Sequence, residues 1–397
     1  MIFQQISQAP ADPILGLTEA FKKDPRQEKV NLGVGVYKDE SGLTPVLKSV
    51  KLAEAKLLDT ETSKTYLGID GVQLYNKVVQ ELLFGADSKI VKEGLAVTAQ
   101  APGGTGSLRI AAEFVVNNTN SKTIWVSKPT WANHQNIFAA AGLSIKEYGY
   151  YDAANQSLNF EAMVADLQQA TTGDLVLLHG CCHNPSGIDL SAAQWTQIAQ
   201  LCFAKQLVPL FDFAYQGFGD GVEEDALGLR TVAAVVPELL VANSFSKNFG
   251  LYNERIGAVT LVAQDAATAQ KAFSQVKRTI RANYSNPPAH GGLIVSTVLT
   301  DPELKALWLE EVTTMRQRIA EMRQLFVDTL KAEGVEKDFS FICQQKGMFS
   351  FSGLNKAQVE RLRDEFAIYI VGSGRISVAG MTKTNIPVIC KAIAKVL

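Results

Sequence analysis

The chain has 397 residues, a hydrophobic share of 47%, a charged share of 20% and a formal net charge of −2. That length calls for about two domains, and the near-neutral balance excludes a nucleic-acid face or an anionic-membrane patch as the main business of the surface. No basic segment with an apolar core opens the chain and no apolar run could span a bilayer. The five cysteines contain no Cys-x-x-Cys pair, so reduced thiols in a cytoplasmic protein are expected.

In chain order, the first chemical signal is Gln100-Ala-Pro-Gly103-Gly104-Thr105-Gly106-Ser107, between an apolar run at 95–98 and a helix-like stretch at 108–116. Glycines at a strand-to-helix turn let backbone N–H groups approach an anion, and the helix N-terminus adds partial positive charge. The hydroxyls of Thr105 and Ser107 are further candidate donors. The pattern is neither G-x-G-x-x-G nor the Walker form, which argues against a dinucleotide or a Walker site. A plain tight turn is the simpler alternative. Next, Trp131 in Lys128-Pro-Thr-Trp131-Ala-Asn-His134 is either a rim packing residue or a stacking platform.

Three apolar runs follow, ending at His179, Asp212 and Ser244, with helix-like stretches such as 192–205 between them. Spacings of 33 (212 − 179) and 32 (244 − 212) residues are those of strand-helix-strand units, which predict a parallel sheet with helical crossovers. Ligands of such sheets bind beyond the carboxyl ends of the strands. His179, Asn184, Asp212, Tyr215, Ser244 and Lys247 fall there, although strand ends are also polar simply because they reach the surface. Cys181-Cys182-His183 offers thiols and an imidazole, but adjacent cysteines are poorly spaced for one tetrahedral ion, and no metal is expected. Asp212 closes an apolar strand and needs a cation or donors; a magnesium ligand, an active-site acid and a helix cap all remain open. Lys247 is the only charge between Glu238 and Glu254. An amine placed at the end of a buried strand is easily deprotonated, the condition for Schiff-base chemistry; a loop lysine reaching solvent is the alternative. Arg255, eight residues on, presents a fork suited to phosphate or a partner for Glu254.

Further along, Arg281 sits in what composition alone makes a solvated basic turn. Residues 301–333 carry helical spacing. The segments at 339–342, 348–351 and 369–371 alternate like strands around a helical 356–366, the pattern of a second, smaller α+β domain. Arg375 is the only charge from Phe366 through Thr382, so an anion should meet it, either a buried structural carboxylate or a ligand.

Taken together, and above all in the stretch 244–257 and in Gly103-Gly104-Thr105, the chain resembles the class I pyridoxal-phosphate-dependent aminotransferases, closest to their bacterial aspartate-specific members, from about Pro10 to the C-terminus. The resemblance implies an α/β fold-type-I architecture: a large domain over 46–314 with a mostly parallel seven-stranded sheet, and a discontinuous small domain of 1–45 and 315–397 with an N-terminal dimer arm. It implies pyridoxal 5'-phosphate held by Lys247, with Ser244, Arg255, Gly103, Gly104 and Thr105 at its phosphate. Asp212 would face the pyridine nitrogen, Tyr215 and Asn184 the ring hydroxyl, and Trp131 the ring face. Arg375 would fork onto the substrate α-carboxylate, with Gly35, Trp131 and Asn184 also at the substrate. Arg281 and Tyr66 would reach into the neighbouring subunit's site, making a homodimer with composite sites. His134 and His179 would stand behind the site, with Lys247 itself moving the proton. Ser186 stands where the family usually shows threonine and keeps the hydroxyl.

The implied activity moves an amino group between aspartate or glutamate and their 2-oxo acids. An aromatic-amino-acid member of the same class is the nearest rival, since relatives can keep both arginines. Val36, Tyr37, Lys38, Thr44 and Asn286 fit the aspartate pattern better. A ligand-responsive regulator would need an added DNA-binding segment, and a nicotinamide-linked dehydrogenase lacks its phosphate fingerprint.

Overall fold

A computed structural model describes residues 1–9 and 15–397. Its largest feature is a seven-stranded sheet. In chain order the strands are β1 (Ala96–Pro102), β2 (Thr123–Lys128), β3 (Ser144–Gly149), β4 (Leu175–His179), β5 (Val208–Phe213), β6 (Leu239–Ser244) and β7 (Ile256–Val262). They lie in the order β1-β7-β6-β5-β4-β2-β3. The neighbouring pairs from β6 through β5, β4, β2 and β3 are parallel; β7 runs antiparallel to both β1 and β6. Every residue of β4, β6 and β7 is buried. Continuous apolar strands of this kind need cover on both faces, and the crossover helices supply it. One such cover is built from the helices Gly103–Asn118 and Ala266–Asn283, whose Phe114, Val115, Phe273 and Ile280 pack with Leu177, Leu210 and Val259 of the strands.

The helix Ala192–Lys205 begins on a capping box between Ser191 and Gln194 and ends with Gln206 at φ 53°. It returns the chain from β4 to β5, as the 33-residue spacing requires. The register then sets His179 opposite Asp212 and Asp212 opposite Ala242. The polar ends of three strands therefore lie at one edge of the sheet.

By internal packing the chain forms two compact units. One is Pro45–Arg318 with Gln345–Gly347; the other is Met1–Thr44, Ile319–Gln344 and Met348–Leu397. The second unit contains two small sheets: Val30–Asn31 pairs parallel with Ile368–Tyr369, and Phe349–Phe351 pairs antiparallel with Arg375–Ser377. The helix Lys356–Phe366 starts on a capping box of Asn355 and Gln358. The helical spacing at 301–333 is one 31-residue helix, Pro302–Ala332.

Two local expectations need correction. The alternating segment at 339–342 is not a strand. Asp338 accepts the Ser340 N–H and hydroxyl, both at 2.8 Å, and this local turn leads into the short helix Phe341–Gln344. The Gly-rich segment is not a turn that precedes its helix: β1 runs on through Pro102 and the helix begins at Gly103 itself. No helix among the described residues is long and apolar enough to cross a membrane.

Candidate active site

Lys247 lies three residues beyond the end of β6, in the turn at 246–249. Its ammonium is 4.8 Å from the centre of the Tyr215 ring. Burial pulls its pKa down from 10.5 to about 8, with Asp212 opposing that shift and Arg255 adding to it. A sizeable fraction of the amine is therefore neutral near pH 8, which a solvated lysine would reach only above pH 10.

Asp212, whose charge acts on this amine, is held by a directional chain of hydrogen bonds. Burial pushes its carboxyl up, but the hydrogen bond from His134, with His179 and Lys247 behind it, outweighs that and leaves the pKa lowered. His134 Nε2 is 2.9 Å from Asp212 Oδ2. An ionised carboxylate can only accept, so Nε2 carries the proton and Nδ1 accepts from the Thr130 hydroxyl at 2.7 Å. Thr130 then accepts from His179 Nε2 at 3.0 Å, and His179 Nδ1 accepts the Asn184 N–H at 3.4 Å. Burial, with His134 nearby, brings His179 down to about 3, against the opposing pull of Asp212. It is a neutral ring throughout the physiological range. Asn184 in turn donates from Nδ2 to the Tyr215 hydroxyl at 3.3 Å. The loops after β4 and β5 thus meet at the site end of the sheet. Trp131 packs edge-on against His134, with ring centres 5.2 Å apart.

At the start of the helix Gly103–Asn118 the backbone is shaped for an anion. The N-cap is Pro102, and no side chain caps the first turn, so its N–H groups point outward. Gly103 has φ +74°, and a Cβ there would come within 2.5 Å of Arg255 Nη2. A Cβ on Gly104 would come within 3.3 Å of the Ser244 Cβ, and one on Gly257 would overlap Gly103 and the Asn243 carbonyl. Arg255 donates to the Tyr252 carbonyl at 2.9 Å and to Ser246 Oγ at 3.4 Å; among the described residues it has no carboxylate partner. A helix N-terminus and a guanidinium converge on one place with no acid between them, which is the arrangement an anionic group completes. Ser244 Oγ lies 3.2 Å from Ser246 Oγ and accepts the Ser246 N–H. Ser107 does not serve here: its buried hydroxyl donates back to the Gly103 carbonyl at 3.0 Å.

In the other unit, Arg375 is 4% exposed, donates to the Gly33 carbonyl at 2.5 Å, and lies 4.2 Å from the centre of the Phe349 ring. Gly35 packs against the tip of the same ring, where a Cβ would fall 2.5 Å from Phe349 Cζ. Two sequence-predicted residues stand apart from these groups: Arg281 is exposed and bonded to Ser285, and Tyr66 is 93% exposed.

Sequence reasoning passed over Thr130, whose hydroxyl joins two histidines 45 residues apart (179 − 134). Asp189 accepts the N–H groups of Cys182 and His183 at 2.8 and 2.9 Å. Asp225 accepts those of Gly217, Gly219 and Asp220 at 2.8–2.9 Å. These carboxylates pin the two loops from behind, and only the density of glycine after Tyr215 hinted at that need. The sulfurs of Cys181 and Cys182 lie within 4.8 Å of each other and of the Asp225 carboxylate. Burial and the neighbouring thiol push Cys181 up, away from the thiolate a metal needs.

With this geometry in place, the relationships of the chain are direct. The sequence pattern of the aminotransferase class I and II family matches residues 27–393. The aspartate aminotransferase of Salmonella typhi is 60% identical over 396 residues, covering all of both chains, and that of Escherichia coli (strain K12) is 59% identical over the same span. A crystal structure of the aromatic-amino-acid aminotransferase from Burkholderia pseudomallei, covalently bound to pyridoxal phosphate, superposes with a TM-score of 0.98 at 49% identity, again over all of both chains. The chain belongs to the class I and II aminotransferase family.

Proposed function

We propose that the chain is an aspartate aminotransferase, catalysing reversible transfer of the amino group between L-aspartate and 2-oxoglutarate to give oxaloacetate and L-glutamate, with pyridoxal 5'-phosphate as cofactor. The observation that carries this reading is the pairing of a lysine lowered to about pH 8 with a carboxylate kept anionic, Lys247 with Asp212. The similarity to aspartate aminotransferases at 60% and 59% identity, against 49% for the aromatic enzyme, favours the dicarboxylate.

The residues fit the cofactor. The cradle of Gly103, Gly104 and Thr105 with Ser244 and Arg255 would hold its phosphate, joined by Tyr66 from a second subunit. Asp212 would hold the pyridine nitrogen, Tyr215 and Asn184 the ring oxygen, and Trp131 the ring face. When bound, pyridoxal phosphate supplies a carbonyl that condenses with amines and a protonated ring that withdraws electrons. The protein supplies the rest. Asp212 stays ionised through the His134–Thr130–His179 chain, so a positive charge opposite it is favoured. Lys247 is neutral often enough to act as nucleophile and then to carry a proton to and from the substrate α-carbon. Arg375 would take the α-carboxylate beside Gly35, and Arg281 of the second subunit the distal one.

The reading includes a homodimer in the cytoplasm. Supporting it are the outward Tyr66 and the exposed Met1, Ile2, Phe3 and Ile6 of the N-terminal segment, apolar groups that an arm would bury on a partner. The five free cysteines suit a reducing compartment. The test is chemical. Borohydride treatment of the cofactor-loaded enzyme should fix the cofactor to the peptide containing Lys247, and label on any other lysine would overturn the assignment.

A further inference from the structure

His183 takes no part in the proposed reaction, yet it is 1% exposed and tied to two separate segments, at Ser127 and Tyr150, as well as to Ser186 of its own loop. Its Nε2 is 2.9 Å from Ser127 Oγ, and its Nδ1 is 2.7 Å from Ser186 Oγ. The direction of each bond follows from proton counting. Ser127 has one hydroxyl proton and gives it to the Pro129 carbonyl at 2.8 Å. It can therefore only accept from His183, so Nε2 carries the ring proton and Nδ1 accepts from Ser186. Ser186 keeps its remaining capacity for the Ile188 N–H at 3.2 Å. The ring stacks on Tyr150 with centres 3.9 Å apart and planes 17° apart. Tyr150 closes the circuit by donating to the Ile188 carbonyl at 2.7 Å. Burial first, then His179 and His134, hold the imidazole well below its ordinary pKa, so it stays in the single-proton form that these bonds require.

Two loops are joined by this ring. Ser127 and Pro129 begin the segment that carries Trp131, and His183 and Ser186 flank Asn184. The link shares no hydrogen bond with the chain that ends on Asp212; among the described residues His183 and that chain also meet through a tilted ring contact with His179 at 4.3 Å.

We propose that His183 is a positioning residue that locks the Trp131 loop to the Asn184 loop, so that the group stacking on the cofactor and the group addressing its ring oxygen hold one spacing. The proposal rests on the cofactor site put forward above. A buried ring that saturates donors and acceptors on both loops resists their separate movement, because parting them would strand polar groups out of reach of water.

The test uses full-length protein with two readouts: amide hydrogen exchange of the apoenzyme, and pyridoxal phosphate affinity. His183→Phe keeps the stack on Tyr150 and loses both ring hydrogen bonds. It should speed exchange about ten-fold in both 127–134 and 181–188, leaving the sheet core protected, and weaken pyridoxal phosphate about ten-fold. Ser127→Ala cuts the link from the other side and should loosen the same two segments. It also serves as the test should His183→Phe fail to fold. The double variant should be no worse than His183→Phe alone, since both changes remove one link. His183→Gln, whose amide reaches the Nε2 position, should recover most of the affinity, and His183→Asn should not. Loosening confined to 181–188, additive losses in the double variant, or unchanged cofactor affinity despite loosened loops would each overturn the proposal. Failure of the cofactor site itself would show separately, as absence of borohydride label on Lys247 in the unmodified enzyme.

Discussion

His134 Nε2 stands 2.9 Å from Asp212 Oδ2, and this contact leads the influences that hold the buried carboxyl below its ordinary pKa. Burial alone would favour a neutral carboxylic acid at Asp212. The imidazole donor reverses that outcome, and its own orientation is fixed by the Thr130 hydroxyl. A carboxylate that remains an anion where water is scarce is a strong electrostatic device.

Asp212→Ala should therefore cost far more than Asn184→Ala. Asn184 gives one neutral hydrogen bond, worth about 1 kcal/mol net. In the proposed reaction the carboxylate would support charge throughout, so its removal should lower kcat by about 100-fold or more beyond the asparagine variant. Single-turnover kinetics of both variants would check this, and equal modest losses would make Asp212 structural.

The depressed pKa of Lys247 has a stability consequence in the apoprotein. Its folded value of about 8 lies below the unfolded 10.5, so between those pH values the unfolded chain binds more protons and stability from this group rises with pH. Below pH 8 the full cost of burying the ammonium is present. Lys247→Met should accordingly stabilise the apoprotein by up to ~3 kcal/mol below pH 8, with the gain shrinking toward zero by about pH 10.5. Urea unfolding of both proteins across this range measures the difference directly.

Gly103→Ala should damage phosphate binding without touching the amine. The residue sits at φ +74°, and the added Cβ would press on the Arg255 fork. Backbone strain and a displaced guanidinium together should weaken pyridoxal phosphate by about ten-fold or more. Titration of apoenzyme with cofactor would report it.

If the sites are composite, lesions on different subunits should complement. Mixing Lys247→Ala with Arg281→Ala subunits gives a heterodimer in which one site carries both lesions and the other none. Activity should reappear after subunit exchange, and continued inactivity in a verified heterodimer would mean that one chain builds each site.

Much of this architecture was legible in the residues. The strand ends at His179, Asp212 and Ser244 follow from apolar runs that are almost wholly buried, and the helix Ala192–Lys205 from the helix-like stretch between two of them. Two kinds of feature were hidden. Local turn chemistry won at Asp338, where an alternating pattern became a short helix. Contacts between distant loops, such as Thr130 with His179 or Ser127 with His183, leave no period or motif, because a hydroxyl that bridges two imidazoles looks like any other loop serine or threonine until the sheet brings the loops together. The directions of those hydrogen bonds depend on counting protons around a ring, which needs the geometry.

The central claim is that two arginines select a substrate with two carboxylates, and catalytic efficiency for aspartate and phenylalanine with 2-oxoglutarate tests it most directly. The unmodified enzyme should prefer aspartate. Arg375→Ala should lower kcat/KM for both substrates, because every amino acid has an α-carboxylate. Arg281→Ala should lower kcat/KM for aspartate by roughly 30-fold to several thousand-fold, the equivalent of about 2–5 kcal/mol for losing one charged partner in a desolvated site, while sparing phenylalanine. Parallel losses for both substrates in Arg281→Ala, or a preference for phenylalanine in the unmodified enzyme, would contradict the aspartate assignment.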